Sequence, residues 1–171
     1  ESSTIKKELL VATTNQYKLK EIRELLSVTP VRLVELNKFS NIEEPEETEN
    51  TFSANARLKA SSYFKMTKML TVAEDSGLVI DALNGDPGVY SARFVRPDAT
   101  YPERFAEIFR RLETVPHLPR TARFVCALAV VDNGKVVFET SGTIEGEIAK
   151  AVSGSAGFGY DPIFYYPPYN A

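Results

Sequence analysis

The apolar residues of this chain follow two spacings, one typical of buried strands and one typical of helices. Glu8–Ala12 and Val31–Leu36 contain short, continuous apolar runs, as strands buried on both faces do. Between them, Leu19, Ile22 and Leu26 recur at helical spacing behind a polar turn. This order of strand, turn, helix and strand predicts the start of an α/β protein.

Two further helices are predicted from their caps and apolar stripes. One begins near Thr51, and its expected inward positions are Phe52, Ala56, Ala60, Tyr63 and Phe64. The other begins after Thr100, with Glu103 at the capping-box position. Its expected buried stripe is Phe105, Ile108, Phe109 and Leu112.

The remaining apolar runs predict a sheet that contains antiparallel pairs. Thr121–Asp132 and Lys135–Ser141 flank Asn133-Gly134, which favours a type I′ hairpin turn. Thr143–Ile148 is expected to extend the sheet, and Ile163–Tyr166 to add a last strand. A hairpin excludes a purely parallel sheet, so we predict a mixed central sheet with flanking helices. No repeat or linker interrupts the sequence, so residues 1–171 are expected to form one domain.

Two adjacent carboxylates follow a buried strand in the middle of the chain. The strand is predicted over Leu70–Ala73, with Glu74 and Asp75 at its end and a Ser76-Gly77 turn after them. Acids at the mouth of a strand lie where an open α/β sheet binds its ligand, and a divalent cation would offset their burial. Neighbouring strand residues point to opposite faces, so Asp75 is expected to serve the site directly and Glu74 to support it. The alternative is that Asp75 only caps the turn.

Two segments before this pair have the chemistry of a phosphate or metal site. Thr13–Lys18 combines two hydroxyls, a helix N-terminus and a lysine, although an ordinary capped turn has the same pattern. The acidic segment 41–50 contains Glu47 and precedes the helix with Lys59. Magnesium is bound through one or two carboxylates together with substrate phosphates, but a solvated loop and a surface lysine would look alike in sequence.

A glycine-rich loop near the end of the chain is a candidate for binding a flat ligand. Glycines in Gly157–Asp161 let a ligand approach the backbone, and Phe158 or Tyr160 would stack on it. A core aromatic beside a tight turn gives the same pattern, so both interpretations remain open.

Composition narrows the classes of function. The 171 residues carry a net charge of −3, which argues against nucleic acid or a membrane surface as the main partner. No apolar run approaches the roughly 20 residues of a membrane span, and the polar N-terminus does not resemble a secretory signal. The single cysteine, Cys126, is expected to be buried and inert, and a cytoplasmic, reducing location fits it. The single histidine, His117, leaves little material for a zinc site or a Ser-His-Asp triad.

Five motifs occur in one order along the chain. They are Thr13-Thr14-Asn15…Lys18, Thr51-Phe52…Asn55-Ala56…Lys59-Ala60, Glu74-Asp75-Ser76-Gly77-Leu78, Ala82-Leu83-Asn84-Gly85…Pro87-Gly88-Val89-Tyr90-Ser91-Ala92-Arg93, and Gly157-Phe158-Gly159-Tyr160-Asp161-Pro162-Ile163-Phe164. Together they resemble the inosine triphosphate pyrophosphatase family, most closely its bacterial members, over Leu9 to Phe164.

The resemblance implies a fold, a reaction and partners. The fold would be an elongated, two-lobed α/β domain with a long mixed sheet and an active-site cleft between the lobes, usually as a homodimer. The reaction would be magnesium-dependent hydrolysis of ITP, dITP or XTP to the monophosphate and pyrophosphate, which removes these purine nucleotides from the cellular pool. Two alternatives stay open: a Maf-type pyrophosphatase of modified pyrimidine nucleotides, and a non-catalytic nucleotide-binding module.

The resemblance also implies roles for individual residues. Glu47 and Asp75 would hold Mg²⁺, with Glu74 as a third candidate ligand, and Asp75, Lys18 and Lys59 would be catalytic. The implied substrate contacts are Thr13, Thr14, Asn15, Gln16, Tyr17, Lys18, Ser76, Phe158, Gly159, Tyr160 and Asp161. Glu74 replaces the aspartate common in bacterial members but keeps the carboxylate.

The family continues beyond the last motif into a segment that reads the 6-oxo group of the purine. That segment contains a lysine and a Ser-His-Arg motif, and this sequence ends at Ala171 without it. A domain truncated at its C-terminus is therefore expected, and base discrimination is assigned to no residue here.

Overall fold

The computed structural model describes residues 6–169 of the chain, so residues 1–5 of the polar N-terminus and the final two residues lie outside it. The strands and helices are β1 Lys7–Val11, α1 Gln16–Leu25, β2 Val31–Glu35, α2 Phe52–Thr67, β3 Thr71–Ile80, α3 Tyr101–Glu113, β4 Thr121–Asp132, β5 Lys135–Ile148 and β6 Phe164–Tyr165. No helix among the described residues is long and apolar enough to cross a membrane.

The described strands form one six-stranded sheet in the order β2-β1-β3-β4-β5-β6. β1 runs parallel to β2 and to β3, with Leu9 opposite Leu33 and Leu10 opposite Thr71. β5 and β6 are antiparallel. A mixed sheet with flanking helices confirms the predicted α/β class.

The chain divides into two compact units, and β3, β4 and β5 each contribute residues to both. The first unit contains the chain up to Asp75 together with Ala127–Ser141. In one of its cores Ala56 and Ala60 of α2 pack with Ala73 of β3, and in the other Leu19 of α1 packs with Val72. Because Val72 and Ala73 point to opposite faces of the strand, α1 and α2 cover opposite faces of β3.

The second unit has a core built on α3. Thr100 caps this helix in a capping box with Glu103, as predicted, and Phe105, Ile108 and Leu112 are buried along its inner stripe. The same cluster includes Leu78 and Ile80 of β3, Ala122 of β4 and Ile163.

The predicted Ser76-Gly77 turn is wrong, because β3 continues through it as one ten-residue strand. Both Leu78 and Ile80, beyond the predicted turn, are fully buried. Glycine inside a strand costs about 0.5–1 kcal/mol, whereas burying each of these side chains contributes about 1.5–3 kcal/mol. Burial therefore outweighs the local turn preference, and the alternative that Asp75 caps a turn is wrong as well.

The thiol of Cys126 is exposed, so the expectation of a buried cysteine is wrong. Phe124 and Leu128 lie on the same face of β4 by alternation, but Phe124 packs in the core of the second unit and Leu128 in the first. Cys126 falls between the two positions, and neither core covers it.

The predicted hairpin is confirmed. Both Asn133 and Gly134 have positive φ, the backbone that a type I′ turn requires. β5 is one 14-residue strand rather than two segments, and β6 is reduced to two residues because Asp161–Ile163 forms a 3₁₀ turn.

Candidate functional site

Asp75 lies at the centre of a cluster of polar side chains between β3 and α2. Its side chain is 5% exposed, although a carboxylate is among the least readily buried groups. Asn55 and Lys59, four residues apart on one face of α2, both act on it: Asn55 by a hydrogen bond and Lys59 through its positive charge. Glu47 brings a second negative charge to the same place.

Burial and the negative charge of Glu47 outweigh the groups that stabilise the ionised form of Asp75. Burial raises the pKa of Asp75 from 3.8 to about 6, and the Glu47 carboxylate adds to that rise. Lys59 and the hydrogen bond from Asn55 lower the pKa but do not cancel the increase. The Oδ2 atom of Asp75 is buried and accepts no hydrogen bond from any group in residues 6–169.

Asn55 also holds the acidic segment in place. Its side chain is fully buried, and it accepts a hydrogen bond from the Glu49 N–H at 3.0 Å and donates one to the Glu49 carbonyl at 3.3 Å. Two residues earlier, Glu47 forms an ion pair with Lys59, with 3.2 Å between Oε1 and Nζ. Of the acidic side chains in this segment, Glu47 is the one whose charge acts on Asp75, and its partner Lys59 is not a solvated surface group.

Lys18 and Glu74 form a separate pair on the other face of β3. Nζ of Lys18 lies 2.6 Å from Oε1 of Glu74, and both side chains are largely buried. The separation follows from strand alternation, since Glu74 faces α1 and Asp75 faces α2. The three carboxylates predicted to bind one metal are thus divided between two faces.

The Thr13–Lys18 turn is a helix N-cap that its own hydrogen bonds hold in place. Asn15 Oδ1 accepts hydrogen bonds from the N–H groups of Tyr17 and Lys18, and the Asn15 N–H donates to Thr13 Oγ1. Two of the helix N-terminal donors expected to bind phosphate are therefore occupied. Thr14, Gln16 and Tyr17 are exposed, and Lys18 is the charged group of the segment.

The remaining predicted residues belong to the second unit. Ser76 is half-buried within β3, and Gly159 lies in the glycine-rich loop with positive φ. Asp161 accepts the Phe158 N–H at 2.8 Å, and a Cβ at Gly157 would lie 2.1 Å from Asp161 Oδ2, so the loop needs glycine there. Tyr160 is buried, donates its hydroxyl to the Ser91 carbonyl and packs edge-on against Tyr101. These contacts favour the core interpretation for Tyr160 and leave the half-buried Phe158 as the aromatic that a ligand would meet.

Asn55 is a site residue whose role the sequence alone does not indicate. The sequence does contain one signal, because this polar residue stands one helical turn before Lys59 and directly next to the inward Ala56. Without the fold, nothing distinguished it from a polar residue at the margin of the apolar stripe.

The residues around Asp75 fit a divalent cation. No three His, Cys, Asp or Glu side chains converge as a self-sufficient metal site within residues 6–169. The negative charge of Glu47 nevertheless acts on Asp75, and Asp75 keeps one buried oxygen without a donor. Two carboxylates, completed by water and phosphate oxygens, are what Mg²⁺ usually takes from proteins.

The chain is similar to known proteins over nearly its whole length. A model of the Ham1 family matches residues 9–171. Proteins named dITP/XTP pyrophosphatase are 43% identical to it in Geobacillus kaustophilus, over 94% of this chain and 79% of that protein, and in Geobacter sulfurreducens, over 92% and 79%. The solved structure of a HAM1 protein from Coxiella burnetii superimposes with a TM-score of 0.90 at 38% identity, covering 96% of this chain and 84% of that one. The solved structure of a Mycobacterium abscessus nucleoside-triphosphatase, also described as a dITP/XTP pyrophosphatase, superimposes with a TM-score of 0.75 at 39% identity. The match covers 92% of this chain and 82% of that one.

Removing the charge of Asp75 is expected to stabilise the metal-free protein. Since the pKa of Asp75 is raised to about 6, the folded state keeps a proton between about pH 4 and 6 that the unfolded chain releases. The protonated carboxyl therefore favours the folded state, and this contribution to stability is lost as the pH rises through about 6. Asp75→Asn should therefore be more stable than wild type by on the order of 2 kcal/mol at pH 8 in EDTA. The difference should vanish near pH 4, as measured by urea unfolding.

Asp81→Asn is the matched control for this measurement. Hydrogen bonds from Arg123 and Thr121 hold the pKa of Asp81 below its ordinary value, so removal of that charge should leave stability unchanged or lower it. A lower stability of Asp75→Asn than wild type at pH 8 would contradict the buried-charge interpretation.

Asn55→Ala is expected to release the acidic segment. The Glu49 N–H and carbonyl lose their buried partner, which should lower the free energy of unfolding by about 2 kcal/mol. Cleavage by a glutamate-specific protease within residues 41–50 should become faster. Asn37→Ala, at an exposed asparagine, is the control, and equal cleavage rates of the two variants would show that Asn55 does not hold the segment.

Proposed function

The chain belongs to the Ham1 family, in agreement with the resemblance of its motifs, and we propose that it hydrolyses dITP, ITP and XTP to the nucleoside monophosphate and pyrophosphate. The observation that carries the proposal is the buried Asp75, with its raised pKa and one oxygen without a donor, beside the Glu47–Lys59 pair. A carboxylate in this state is suited to accept a proton from water or to bind a cation near neutral pH.

Lys18 and Lys59 would bind the phosphates. Each ammonium group is held beside a carboxylate, Glu74 at 2.6 Å and Glu47 at 3.2 Å. A lysine is a compact charge on a flexible stem, so it can exchange a carboxylate for a phosphate oxygen as substrate binds. The hydroxyls of Thr13 and Thr14 would add contacts, while Asn15 keeps the turn in shape.

Asp75 would orient and deprotonate the attacking water. At pH 7.5 a group with a pKa of about 6 is mostly ionised and remains basic enough to accept a proton. The water oxygen bonds to phosphorus, its proton passes to Asp75, and the anhydride bond that joins the monophosphate to pyrophosphate breaks. The lysines stabilise the charge on the departing oxygens, with no covalent enzyme intermediate.

Asp75 and Glu47 would hold Mg²⁺, and Glu74 would act from the α1 face by fixing Lys18. Bound there, the cation would neutralise phosphate charge and complete its coordination with water and substrate oxygens. The buried Oδ2 atom and the excess negative charge around Asp75 support this assignment.

The glycine-rich loop would contact the nucleoside. Phe158 and the backbone at Gly159 are the available contacts, whereas Tyr160 and Asp161 would shape the loop from within. Ser76 would add a contact from β3. On this proposal residues 1–171 form a single functional domain, and a cytoplasmic location remains a prediction.

We also propose that the chain forms a homodimer. β5 is exposed along nearly its whole length, and β6 pairs with only its last two residues. Phe138 and Ile144, which share one face of this strand by alternation, and Val137 on its other face are all more than half exposed. A second copy is the expected occupant of this strand, and a monomeric mass by sedimentation at micromolar concentration would contradict this.

Activity should depend on charged residues that lie on both faces of β3. Asp75→Asn is expected to lower kcat for ITP by at least about 100-fold while the protein stays folded, because it removes the proton acceptor. Lys18→Ala and Lys59→Ala should lower kcat/KM by about 10- to 100-fold, measured as pyrophosphate release. Lys20→Ala, an exposed lysine on α1, is the matched control and should leave both constants unchanged.

Substrate profiling separates the remaining alternatives. dITP and XTP should be hydrolysed in preference to dGTP and to methylated pyrimidine triphosphates. Preference for the pyrimidine substrates would support the Maf-type alternative, which family membership disfavours. Magnesium-dependent binding of ITP without release of pyrophosphate would instead indicate a non-catalytic nucleotide-binding module.

A further inference from the structure

The glycine-rich loop, residues 157–161, has little stiffness of its own around Phe158. This residue stands between Gly157 and Gly159, whose φ angles of 81° and 64° lie in the left-handed region. Glycine is permissive in backbone conformation, so neither neighbour fixes the direction of the chain by itself. The orientation of Phe158, the proposed aromatic contact of the nucleoside, therefore depends on the groups that pack against its neighbours.

Tyr101, the first residue of α3, packs against two consecutive residues of this loop. A Cβ built on Gly159 would lie 3.7 Å from the Tyr101 hydroxyl oxygen and 3.8 Å from two of its ring carbons, which is ordinary van der Waals contact. The ring also meets Tyr160 edge-on, with 5.3 Å between the centroids and 90° between the planes. Aromatic pairs favour this arrangement. One side chain thus supports the loop directly after Phe158.

The position of the Tyr101 ring is set by α3 rather than by the loop. The capping box of Thr100 and Glu103 fixes the start of the helix. Arg104 places its guanidinium 4.8 Å from the Tyr101 ring centroid, within the range of a cation–π interaction. Arg104 is 4% exposed and donates to two backbone carbonyls, at 2.8 and 3.1 Å, so it cannot follow a movement of the loop.

Tyr160 connects the loop to β3 at its other end. Its hydroxyl donates to the Ser91 carbonyl at 2.7 Å, and Ser91 Oγ accepts the Leu78 N–H at 2.9 Å. Leu78 lies two residues after Ser76, the contact proposed for the nucleoside on β3. The ring that Tyr101 packs against is therefore the link between the two elements proposed to bind the nucleoside, and both lie in the second unit.

We propose that Tyr101 is a positioning residue for the nucleoside end of the site. It acts through Gly159 and Tyr160, and it keeps the loop in the conformation in which Phe158 and the Gly159 backbone meet the nucleoside. This inference rests on the function proposed above, because it concerns the same site. Tyr101 is uncharged at neutral pH and acts through packing, so its contribution is to substrate affinity rather than to proton transfer or phosphate charge.

The kinetic test compares a variant that removes the ring with one that keeps it. Tyr101→Leu should raise KM for ITP by about five- to tenfold, the combined effect of one aromatic pair and one cation–π contact. Its kcat should stay within about twofold of wild type, because only binding is affected. Tyr101→Phe should keep KM within about twofold of wild type, since the ring remains.

Phe109→Leu is the matched control. It removes another α3 aromatic that packs on the same core with an arginine beside it, Arg120 at 6.0 Å. Any general weakening of α3 should be similar in the two leucine variants, so an unchanged KM in Phe109→Leu separates loop positioning from loss of stability.

Hydrogen exchange tests the same contact without substrate. The Phe158 amide donates to Asp161 at 2.8 Å, so its exchange rate reports opening of the loop. By NMR, this amide should exchange about tenfold faster in Tyr101→Leu than in wild type, and at the wild-type rate in Tyr101→Phe and Phe109→Leu.

The two measurements separate this inference from the proposed function. If wild type releases no pyrophosphate from ITP, the proposed function fails, and the exchange rates alone decide whether Tyr101 holds the loop. If wild type is active, an unchanged KM in Tyr101→Leu, a fall in kcat alone, or an equal loss in Tyr101→Phe would overturn the positioning role. An unchanged exchange rate of the Phe158 amide in Tyr101→Leu would overturn it in either case.

Discussion

The first unit depends on the burial of a charged group, the carboxylate of Asp75. A buried, ionised carboxylate is tolerated only with partners, and Lys59 and Asn55 supply them only in part. Glu47 opposes them, so the pKa stays raised and one oxygen stays without a donor. A fully neutralised pair would be more stable but would have no basic oxygen left for water or a cation.

Strand geometry organises the charges around this group. Glu74 and Asp75 are adjacent, yet each faces a different helix: Glu74 pairs with Lys18 of α1, and Asp75 is acted on by the charge of Lys59 of α2. One strand thereby places an acid near a lysine on each of its faces, and on the α2 face Glu47 adds a second negative charge. The buried side-chain amide of Asn55 connects the acidic segment to Asp75, because it hydrogen-bonds both to the Glu49 backbone and to the Asp75 side chain.

The two units hold their buried cations differently. Lysines accompany the carboxylates around Asp75, where partners must exchange during a reaction. In the second unit the buried Arg104 donates instead to the carbonyls of Ala92 and Phe94, and these contacts fix that segment of the chain. A planar guanidinium suits such fixed contacts better than partner exchange.

Local sequence signals are sufficient to predict a structural feature wherever residues close in sequence decide the backbone conformation. The Thr100–Glu103 capping box, the Asn133-Gly134 turn and the apolar stripe of α2 all formed as predicted, because each depends on short-range backbone and periodicity rules. The Ser76-Gly77 turn and the buried Cys126 were wrong, because burial of Leu78 and Ile80 and the change of core along β4 depend on distant residues. Sequence motifs identified the family and the charged residues. Only tertiary structure determined that Glu74 pairs with Lys18 while Asp75 meets Glu47, Lys59 and Asn55, since electrostatic interactions depend on distance and burial rather than on position along the chain.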